Sequence, residues 1–379
     1  IEQTIMSHGR ENETLWFHPR ACLIPNSSGR NSVFMTMQRI SGSDYFHPVH
    51  WTASEDSGRT WSKAEPIPGF GRNDAGGGIE EGVCDVVPEY HEKSGTILAM
   101  GHNVFYRGDA FFRPQPRRFT VYAVRDIASG KWSGIRKLEW PGSGADQIYT
   151  AGCAQRYTFS NGEILIPLSV GERNREDRRV LSAIAEFDGD ELKVRETGPL
   201  LELAVKRGLL EPSITRYKDG FYMTIRAEDD RGYVVSSDDG LSWSPITPWR
   251  WDDGEELTMS TTQQRWMTHS ERLYLVYTRK DSANINVMRW RAPLYIAEVD
   301  TDTMCLKRES ERIAVSLTGD GINDPDHVAR LGNFHTVNIS PRESWVTVGE
   351  SLPNDGYSGD TILGRIHWTD ENRLVTSRG

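Results

Sequence analysis

Apolar and polar residues alternate over short runs along nearly the whole chain, a pattern typical of half-buried β-strands. Six of these runs follow a polar turn rich in Gly, Asn and Ser or begin at its last residue. They cover residues 32–38, 95–100, 163–168, 220–226, 272–277 and 345–349. Helical periodicity is nearly absent, and the pattern predicts one helical turn, at residues 201–207. The chain is therefore expected to be all-β.

The strand–turn–strand unit repeats six times. Its second strands begin near residues 32, 96, 163, 221, 273 and 345, at a mean spacing of about 63 residues. A repeat of this length holds four short strands, as a propeller blade does. One blade cannot bury its own faces, whereas six packed around an axis can, and a closed ring has no long exposed edges. We therefore predict a single domain over residues 1–379, a six-bladed β-propeller of four-stranded antiparallel blades. A two-sheet sandwich or stacked β-repeats are the alternatives.

The composition of the chain limits the classes of partner that it is expected to bind. The chain has 379 residues with 44 Lys and Arg against 54 Asp and Glu, a net charge of −10. A net negative protein binds a phosphate backbone poorly, so nucleic acid is not expected as a partner. The longest apolar runs are far shorter than the roughly 20 residues of a membrane span, so no membrane partner is expected either. The 35 Gly and 18 Pro residues agree with many tight turns.

Four cysteines are too few for a disulfide scaffold, and no pair has the spacing of a zinc knuckle. Cys22, Cys84 and Cys153 fall on inner strands of blades one to three. They could form a metal-binding ring, or they could be small apolar side chains that pack near the axis. We favour the second interpretation. The histidines near strand ends lack the tight spacing of a metal site. We expect no metal and no cofactor.

The N-terminal segment does not indicate a cellular compartment. The segment after Ile1 has neither a basic nor a long apolar stretch, so no signal peptide is visible. A secreted or periplasmic protein whose leader has been removed and a cytoplasmic protein both remain open, and so does the oligomeric state.

Two segments, residues 54–61 and 236–243, share the pattern S-x-D-x-G-x-[ST]-W. Its Asp and Ser or Thr side chains can bond the backbone of a turn, its Gly allows a positive φ, and its Trp can pack between strands. Weaker copies occur at residues 126–132 and 300–304. The pattern resembles the Asp box, or BNR repeat, of the sialidase superfamily. The resemblance implies a sialidase-like six-bladed propeller, but the motif lies on the outer rim and does not by itself give a function.

Blade four carries the strongest local resemblance. Its segment from Glu211 to Arg226 is similar to the family segment that begins with the glutamate assisting the nucleophile and ends with an arginine of the carboxylate-binding triad. A hairpin returns its last residue beside its first, so Glu211 and Arg226 are expected to face the same pocket. The alternative is a salt bridge at the rim.

Blade one resembles the family less closely. In the family an arginine follows the aromatic residue of the first strand, whereas here His18 follows Phe17 and the arginine comes two places later, as Arg20. The resemblance implies that Arg20 clamps a sugar carboxylate or that His18 contacts the sugar instead. Asp44 lies in the loop where the family keeps its general acid, with Arg39 beside it. Its alternative role is that of an ordinary turn residue.

Blades two and five supply further candidates by position. His102 of blade two lies at a depth that suits contact with substrate. In blade five Arg291 matches the third arginine of the family, with Arg289 as its rival, and Gln264 suits sugar hydroxyls.

Blade six departs most from the family. Placing the 15-residue separation of Glu211 and Arg226 on this blade puts His335 where the family has its nucleophilic tyrosine. Asp326, His327 and Tyr357 are further candidates nearby. Histidine could act there as a base or as a nucleophile's partner. Alternatively Asp326 or Glu211 attacks directly, which suits an uncharged sugar.

The resemblance implies an exo-acting glycoside hydrolase that removes a terminal sugar from a glycan. Asp44 would be the acid/base, Glu211 the nucleophile or its activator, and His335 a further catalytic group. The alternatives are a polysaccharide lyase using His335 with Tyr357 or Tyr45, and a glycan-binding propeller without catalysis. The sugar, the linkage and the stereochemical outcome stay open.

Overall fold

The computed structural model describes residues 1–10, 14–25, 31–42, 44–113, 115–140, 147–172, 175–352, 354 and 356–375. These residues form six antiparallel sheets, which are the blades of a six-bladed β-propeller. The all-β, six-bladed prediction is thus confirmed. No helix in the described ranges is long and apolar enough to cross a membrane.

The strands follow one another blade by blade along the chain. The first strand is β1 (Glu2–Gly9), and blade one follows with β2 (Trp16–Ile24), β3 (Ser32–Gly42), β4 (Tyr45–Phe46), β5 (His50–Ser54) and β6 (Glu65–Pro66). Blade two contains β7 (Asn73–Asp74), β8 (Glu80–His91), β9 (Thr96–Arg107), β10 (Ala110–Phe111), β11 (Thr120–Asp126) and β12 (Arg136–Lys137). Blade three contains β13 (Gln147–Thr150), β14 (Tyr157–Thr158), β15 (Ile164–Glu172), β16 (Arg179–Phe187) and β17 (Leu192–Thr197).

The second half of the ring is built in the same way. Blade four contains β18 (Leu210–Tyr217), β19 (Gly220–Arg226), β20 (Gly232–Ser237) and β21 (Thr247–Pro248). Blade five contains β22 (Arg265–Thr268), β23 (Leu273–Tyr277), β24 (Leu294–Asp300), β25 (Cys305–Leu306) and β26 (Arg312–Val315). Blade six contains β27 (Arg330–Leu331), β28 (His335–Ser340), β29 (Glu343–Ser351) and β30 (Gly359–His367). Short 3₁₀ turns cover Met288–Trp290, Arg308–Ser310 and Arg373–Val375.

The two ends of the chain close the ring. Strand β1 pairs antiparallel with β30, from Glu2 opposite Arg365 to Gly9 opposite Gly359, so the N-terminal strand completes blade six. The six second strands expected from the sequence are β3, β9, β15, β19, β23 and β29. The predicted helical turn at residues 201–207 is wrong, because Leu201 instead exchanges two backbone hydrogen bonds with Val180 of blade three, at 2.7 and 3.0 Å.

The core lies in apolar layers between neighbouring blades. Representative pairs around the ring are Val49 with Val86, Met100 with Ile166, Leu165 with Ile214, Val234 with Leu275, Val276 with Val346, and Trp345 with Met35. All of these side chains are almost completely buried. Each blade therefore depends on both neighbours for its hydrophobic burial, and the ring holds the inner strands in fixed positions around the axis.

The two S-x-D-x-G-x-[ST]-W segments form side-chain-capped turns on the outer side of their blades. In the first, Ser54 Oγ accepts the Gly58 N–H at 2.7 Å and Asp56 Oδ1 accepts the Thr60 N–H at 2.8 Å. In the second, the bonding side chains are Ser237 and Asp239, one residue later than the sequence pattern suggests. The first turn connects β5 to β6 and the second connects β20 to β21, and in both the polar side chains bond the backbone of the turn itself.

Candidate active site

One backbone feature recurs on the inner strands of blades one to four. His18, Asp85, Cys153 and Glu211 all have positive φ values, of 51, 57, 62 and 45°. In β2, β8 and β18 the same places interrupt the pairing with the next strand. Such interruptions re-aim a side chain, and left-handed residues other than Gly are uncommon and cluster at functional sites. The ring thus turns comparable side chains toward one end of its axis.

A cavity of about 1210 Å³ occupies that end of the ring. Its described lining includes the cationic residues Arg113, Arg118, Arg175, Arg178, Lys206, Arg207, Arg226, Arg289, Arg291 and Arg330. The acidic residues of the lining are Asp44, Asp85, Glu176, Glu211 and Glu228. Positive side chains therefore outnumber negative ones two to one in a protein whose net charge is −10. A concave site with this charge favours an anionic ligand.

Glu211 and Arg226 meet in this cavity. Arg226 Nη1 donates to Glu211 Oε1 at 2.6 Å, and its Nη2 donates to Glu228 Oε1 at 3.2 Å. The second carboxylate oxygen, Glu211 Oε2, is buried and has no hydrogen-bond partner among the described residues. Burial acts to raise the pKa of Glu211, but the charge and hydrogen bond of Arg226 outweigh it, so the net pKa lies below its usual value. Glu211 is therefore an ionised carboxylate with one free oxygen.

Arg291 contributes an unneutralised cation. Its Nη2 donates to Asn333 Oδ1 at 2.7 Å, and its Nε is buried without a partner in the described chain. Burial, together with the charges of Arg289 and Arg226, lowers the pKa of Arg291 to about 9. The guanidinium is still protonated at neutral pH, and it forms no ion pair with a described carboxylate. A buried cation without an anion is a place for a negatively charged ligand group.

Asp85 lies at the base of the cavity and was not among the residues singled out from the sequence. Its Oδ1 accepts from Arg20 Nη2 at 2.6 Å and from Asn333 Nδ2 at 3.1 Å, and it lies 3.6 Å from His18 Nδ1. Burial acts to raise the pKa of Asp85, but Arg20 and the two histidines His18 and His102 outweigh it and hold the pKa well below the usual range. Asp85 is thus an anion that Arg20 holds in place.

Two imidazoles face the same region. Burial lowers the pKa of His18 well below its usual value, with Arg20 adding to the effect. Burial and Arg118 lower the pKa of His102 to about 3. Both rings are therefore neutral at physiological pH. The Nδ1 atoms of both are buried and have no hydrogen-bond partner within the described ranges.

The structure places Arg20 beneath the cavity rather than in its wall. Its side chain is only 1% exposed and is engaged by Asp85 and by Cys153 Sγ, at 2.6 and 3.3 Å. The expected three-arginine clamp is therefore incomplete: Arg226 and Arg291 line the cavity, and Arg20 supports Asp85 instead. Asp44 lines the cavity from an exposed loop position with φ of 56°.

His335 lies outside this cavity, against expectation. It begins β28 and lines a second, smaller space of about 190 Å³ together with Arg156 and Gln155. The reason is an interruption in the inner strand of blade six: Glu350 pairs with Leu331 of β27, whereas His335 pairs with Thr347. Asn333, which lies in the interruption, is the residue that reaches the cavity. The 15-residue spacing of blade four therefore does not transfer to blade six.

Several other expected substrate contacts lie elsewhere. Arg39 is exposed and is not part of the cavity wall. Gln264 is buried, where its amide donates to Thr262 O at 3.0 Å and accepts from Thr224 Oγ1 at 2.9 Å. Its side-chain amide therefore bonds other buried groups of the protein and is not available to contact a sugar.

The candidates near blade six also stay outside the lining. Asp326 accepts from the Asn354 side chain, and His327 lies 2.8 Å from Asp324 in the same exposed turn. Tyr357 stacks beneath Arg330, whose guanidinium carbon lies 5.5 Å from the ring centroid. Because Arg330 does line the cavity, Tyr357 is one residue removed from it.

Asp85 and Asn333 are the residues that sequence reasoning missed. A signal for Asp85 was present, since Phe17-His18, Cys84-Asp85 and Leu210-Glu211 each place a polar residue directly after an apolar one on an inner strand. The three cysteines occupy different places relative to the positive-φ residue of their inner strands. Cys84 precedes that residue, Cys153 is that residue, and Cys22 lies four residues beyond it. Nothing in the sequence marks Asn333, because its place depends on the interruption of blade six.

Comparison with known proteins supports the fold. No protein-family model matches the chain, and no curated protein matches it. Among solved structures, a Dyadobacter fermentans protein of unknown function aligns with a TM-score of 0.64 at 13% identity, over 97% of this chain and 98% of the other. The Hadza microbial sialidase Hz136 aligns with a TM-score of 0.65 at 13% identity, over 96% of this chain and 68% of that one.

A Trypanosoma rangeli sialidase aligns with a TM-score of 0.61 at 14% identity, over 96% of this chain and 59% of the sialidase. The chain therefore spans somewhat more than half the length of that enzyme. These likenesses define the class of the fold, a six-bladed propeller of the kind found in sialidases. At such identities they carry no residue roles.

Proposed function

We propose that this protein is a sialidase-like, exo-acting glycoside hydrolase that removes a terminal acidic sugar from a glycan. The observation that carries the proposal is the Glu211 carboxylate, which Arg226 holds at 2.6 Å through one oxygen while the other oxygen is unengaged. The two S-x-D-x-G-x-[ST]-W turns, which resemble the Asp boxes of this superfamily, support the same class. The substrate is a glycan or glycoside.

Most glycosidases hydrolyse the glycosidic bond with two carboxyl groups that have different tasks. Glu211, ionised because of Arg226, supplies the base or nucleophile at the anomeric centre. Asp44, at the exposed lip of the cavity, supplies the proton that the leaving oxygen takes up, because its loop resembles the one in which the sialidase family keeps its general acid. No tyrosine is among the described residues that line the cavity. Direct attack by the Glu211 carboxylate favours a sugar without a charge on its anomeric carbon, and a uronic acid meets this condition because its carboxylate lies elsewhere on the ring.

The cationic residues of the cavity lining favour a sugar that carries a negative charge. Arg291 is buried, protonated and without a carboxylate partner in the described chain, so a carboxylate on the substrate can complete its ion pair. A guanidinium binds a carboxylate through two parallel hydrogen bonds, which a neutral hydroxymethyl group cannot match. We infer that the terminal sugar is a uronic or related carboxylated sugar, with sialic acid as one member of the set to be tested.

Replacing Arg291 by methionine separates the acidic substrate from its neutral counterpart. We expect Arg291→Met to lower kcat/KM for an acidic aryl glycoside by roughly 10- to 100-fold, the loss of one or two charged hydrogen bonds. The value for the matching neutral glycoside should be unchanged. Steady-state kinetics on both substrates measure this, with Arg342→Met as the control, since Arg342 is an exposed residue paired with Glu371. Equal losses on both substrates would contradict a carboxylate-binding role.

Replacing Asp44 by asparagine tests the proton donor. We expect Asp44→Asn to lower kcat about 100-fold on substrates with a poor leaving group, because a positioned acid contributes at least that factor. Substrates whose leaving phenol needs no proton should be nearly unaffected. A series of aryl glycosides with phenols of graded pKa measures the dependence. Asp326→Asn is the control, because Asp326 is also an exposed loop carboxylate but lies outside the cavity. A loss independent of the leaving group would remove Asp44 from this role.

A second candidate function is elimination by a polysaccharide lyase, and the position of His18 favours it, because the ring lines the cavity and its Nδ1 has no hydrogen-bond partner among the described residues. A neutral imidazole in a cationic cavity can accept the proton beside a uronic carboxylate that arginines have neutralised. His335 and Tyr357, the pair expected from the sequence, do not line that cavity. A lyase product has a new carbon–carbon double bond and absorbs in the ultraviolet, whereas a hydrolase product does not, so one absorbance trace separates the two reactions.

A further inference from the structure

Three metal-binding side chains converge at the base of the cavity. Cys84 Sγ lies 3.2 Å from His102 Nε2 and 3.9 Å from Asp85 Oδ2, and the last two atoms are 4.0 Å apart. Cys84 and His102 lie opposite each other on the paired strands β8 and β9, and Asp85 follows Cys84 at the positive-φ position. All three residues line the cavity.

The spacing matches one face of a tetrahedral metal site. Zinc lies about 2.3 Å from a thiolate sulfur and about 2.0–2.1 Å from an imidazole nitrogen, which puts two such ligands roughly 3.3–3.6 Å apart. The three separations here fall within about 0.4 Å of that range. Small side-chain rotations would bring the donors to a single ion without moving the strands.

The two carboxylate oxygens of Asp85 have different surroundings. Oδ1 is held by Arg20 and Asn333, whereas Oδ2 has no described contact shorter than its 3.9 Å approach to Cys84. Carboxylate ligands are commonly oriented through hydrogen bonds to the oxygen that does not bind the metal. A thiolate and a carboxylate together also carry the two negative charges that balance a divalent cation.

We propose that Cys84, Asp85 and His102 bind a zinc ion whose remaining coordination position opens into the cavity. The thiolate selects a soft or borderline ion over calcium or magnesium, and a set of three protein ligands is typical of zinc sites that also accept a water or substrate oxygen. In this place the ion would receive a hydroxyl or carboxylate oxygen of the bound sugar, or a water. Metal binding does not depend on the proposed hydrolase activity and is tested without a substrate.

Gly152 makes room for the histidine of this site. A Cβ at position 152 would lie 1.8 Å from His102 Nδ1 and 3.1 Å from the Asp85 Cβ. Gly152→Ala therefore displaces His102 while leaving all three ligands in the chain. Gly71→Ala is the matched control, since no atom lies within 4 Å of the Cβ it would add.

The test is metal content and cobalt spectroscopy on the full chain. Protein expressed with added zinc and passed through a desalting column should retain about one zinc per chain by mass spectrometry. Chelator-stripped protein titrated with Co²⁺ should show a thiolate-to-cobalt charge-transfer band and the visible bands of a tetrahedral site. Cys84→Ser should abolish the charge-transfer band, and Gly152→Ala should weaken cobalt binding by roughly 10- to 100-fold.

Cys22→Ser is the control for the thiol, because Cys22 is a buried cysteine on an inner strand that lies outside the large cavity. It should leave zinc content and the cobalt spectrum unchanged. Wild-type protein that retains no zinc and gives no charge-transfer band would overturn the proposal, even if a variant failed to fold. A band that survives Cys84→Ser in folded protein would equally contradict it.

Discussion

Glu211→Gln is expected to lower kcat about 10³- to 10⁴-fold on the acidic glycoside, with little change in KM. The amide keeps the shape of the side chain and can still meet Arg226, but it cannot attack the anomeric carbon or accept a proton. The fold should be intact, because the side chain contributes only a partly exposed ion pair. Steady-state kinetics and a thermal unfolding curve on the same preparation measure both expectations.

Glu202→Gln is the matched control for that variant. Glu202 is an exposed surface carboxylate whose partner, Arg179, lies 3.2 Å away on blade three. Its replacement should leave kcat within about twofold, since surface ion pairs contribute little. A Glu211→Gln enzyme with at least a tenth of wild-type kcat would remove Glu211 from the chemistry.

The pH dependence follows from the same ion pair. Arg226 outweighs burial and sets the pKa of Glu211 below its ordinary value of 4.5, so the carboxylate persists in mildly acidic solution. Activity should be retained as the pH falls to 4.5 and be lost only below it, on the acid limb of kcat/KM. In Arg226→Met the effect of burial on the pKa of Glu211 is opposed by Arg289 but no longer by Arg226, and the acid limb should move to higher pH. An unchanged acid limb would show that another group controls it.

Arg20→Met is expected to cause the largest loss of stability among the substitutions considered. Arg20 is almost fully buried, and its removal leaves the Asp85 carboxylate in the base of the cavity without its main counter-charge. Breaking a buried pair from one side costs about 3–5 kcal/mol of unfolding free energy. Urea unfolding in the presence of a chelator measures the change without any contribution from bound metal.

The double variant Arg20→Met, Asp85→Asn checks the cause. Removing the orphaned charge should recover part of the lost free energy, so the double variant should be more stable than Arg20→Met alone. Arg308→Met, which breaks an exposed pair with Asp253, should cost less than about 1 kcal/mol. If the losses from Arg20→Met and Asp85→Asn simply add, the two side chains are not coupled and Arg20 does not act through Asp85.

The fold was predictable because its determinants are local and repeated. Alternating apolar residues and polar turns mark each hairpin, and the same pattern recurs six times, so the number of blades could be counted. Glu211 and Arg226 could be brought together for the same reason, since the two ends of a hairpin must meet. Closure by β1 is not visible in the repeat, because it pairs residues at opposite ends of the chain.

The remaining site residues depend on departures from that regular pattern. His335 was expected at the cavity because blade six was assumed to copy blade four, whereas the interruption between Leu331 and His335 brings Asn333 there instead. Arg20 was expected to contact substrate, but the interruption in β2 turns His18 toward the cavity and leaves Arg20 below it. A one- or two-residue change in register reverses which side chains face the ligand, and spacing alone does not reveal it.

The most direct test of the central claim is product analysis on glycans that end in carboxylated sugars. Wild-type protein is incubated with a panel that includes terminal uronic acids and sialic acid, and the products are identified by NMR and mass spectrometry. If the central claim holds, wild-type protein and Glu202→Gln release a free, saturated acidic monosaccharide, and Glu211→Gln releases none. Stable binding without release, or an unsaturated sugar as the product, would contradict it.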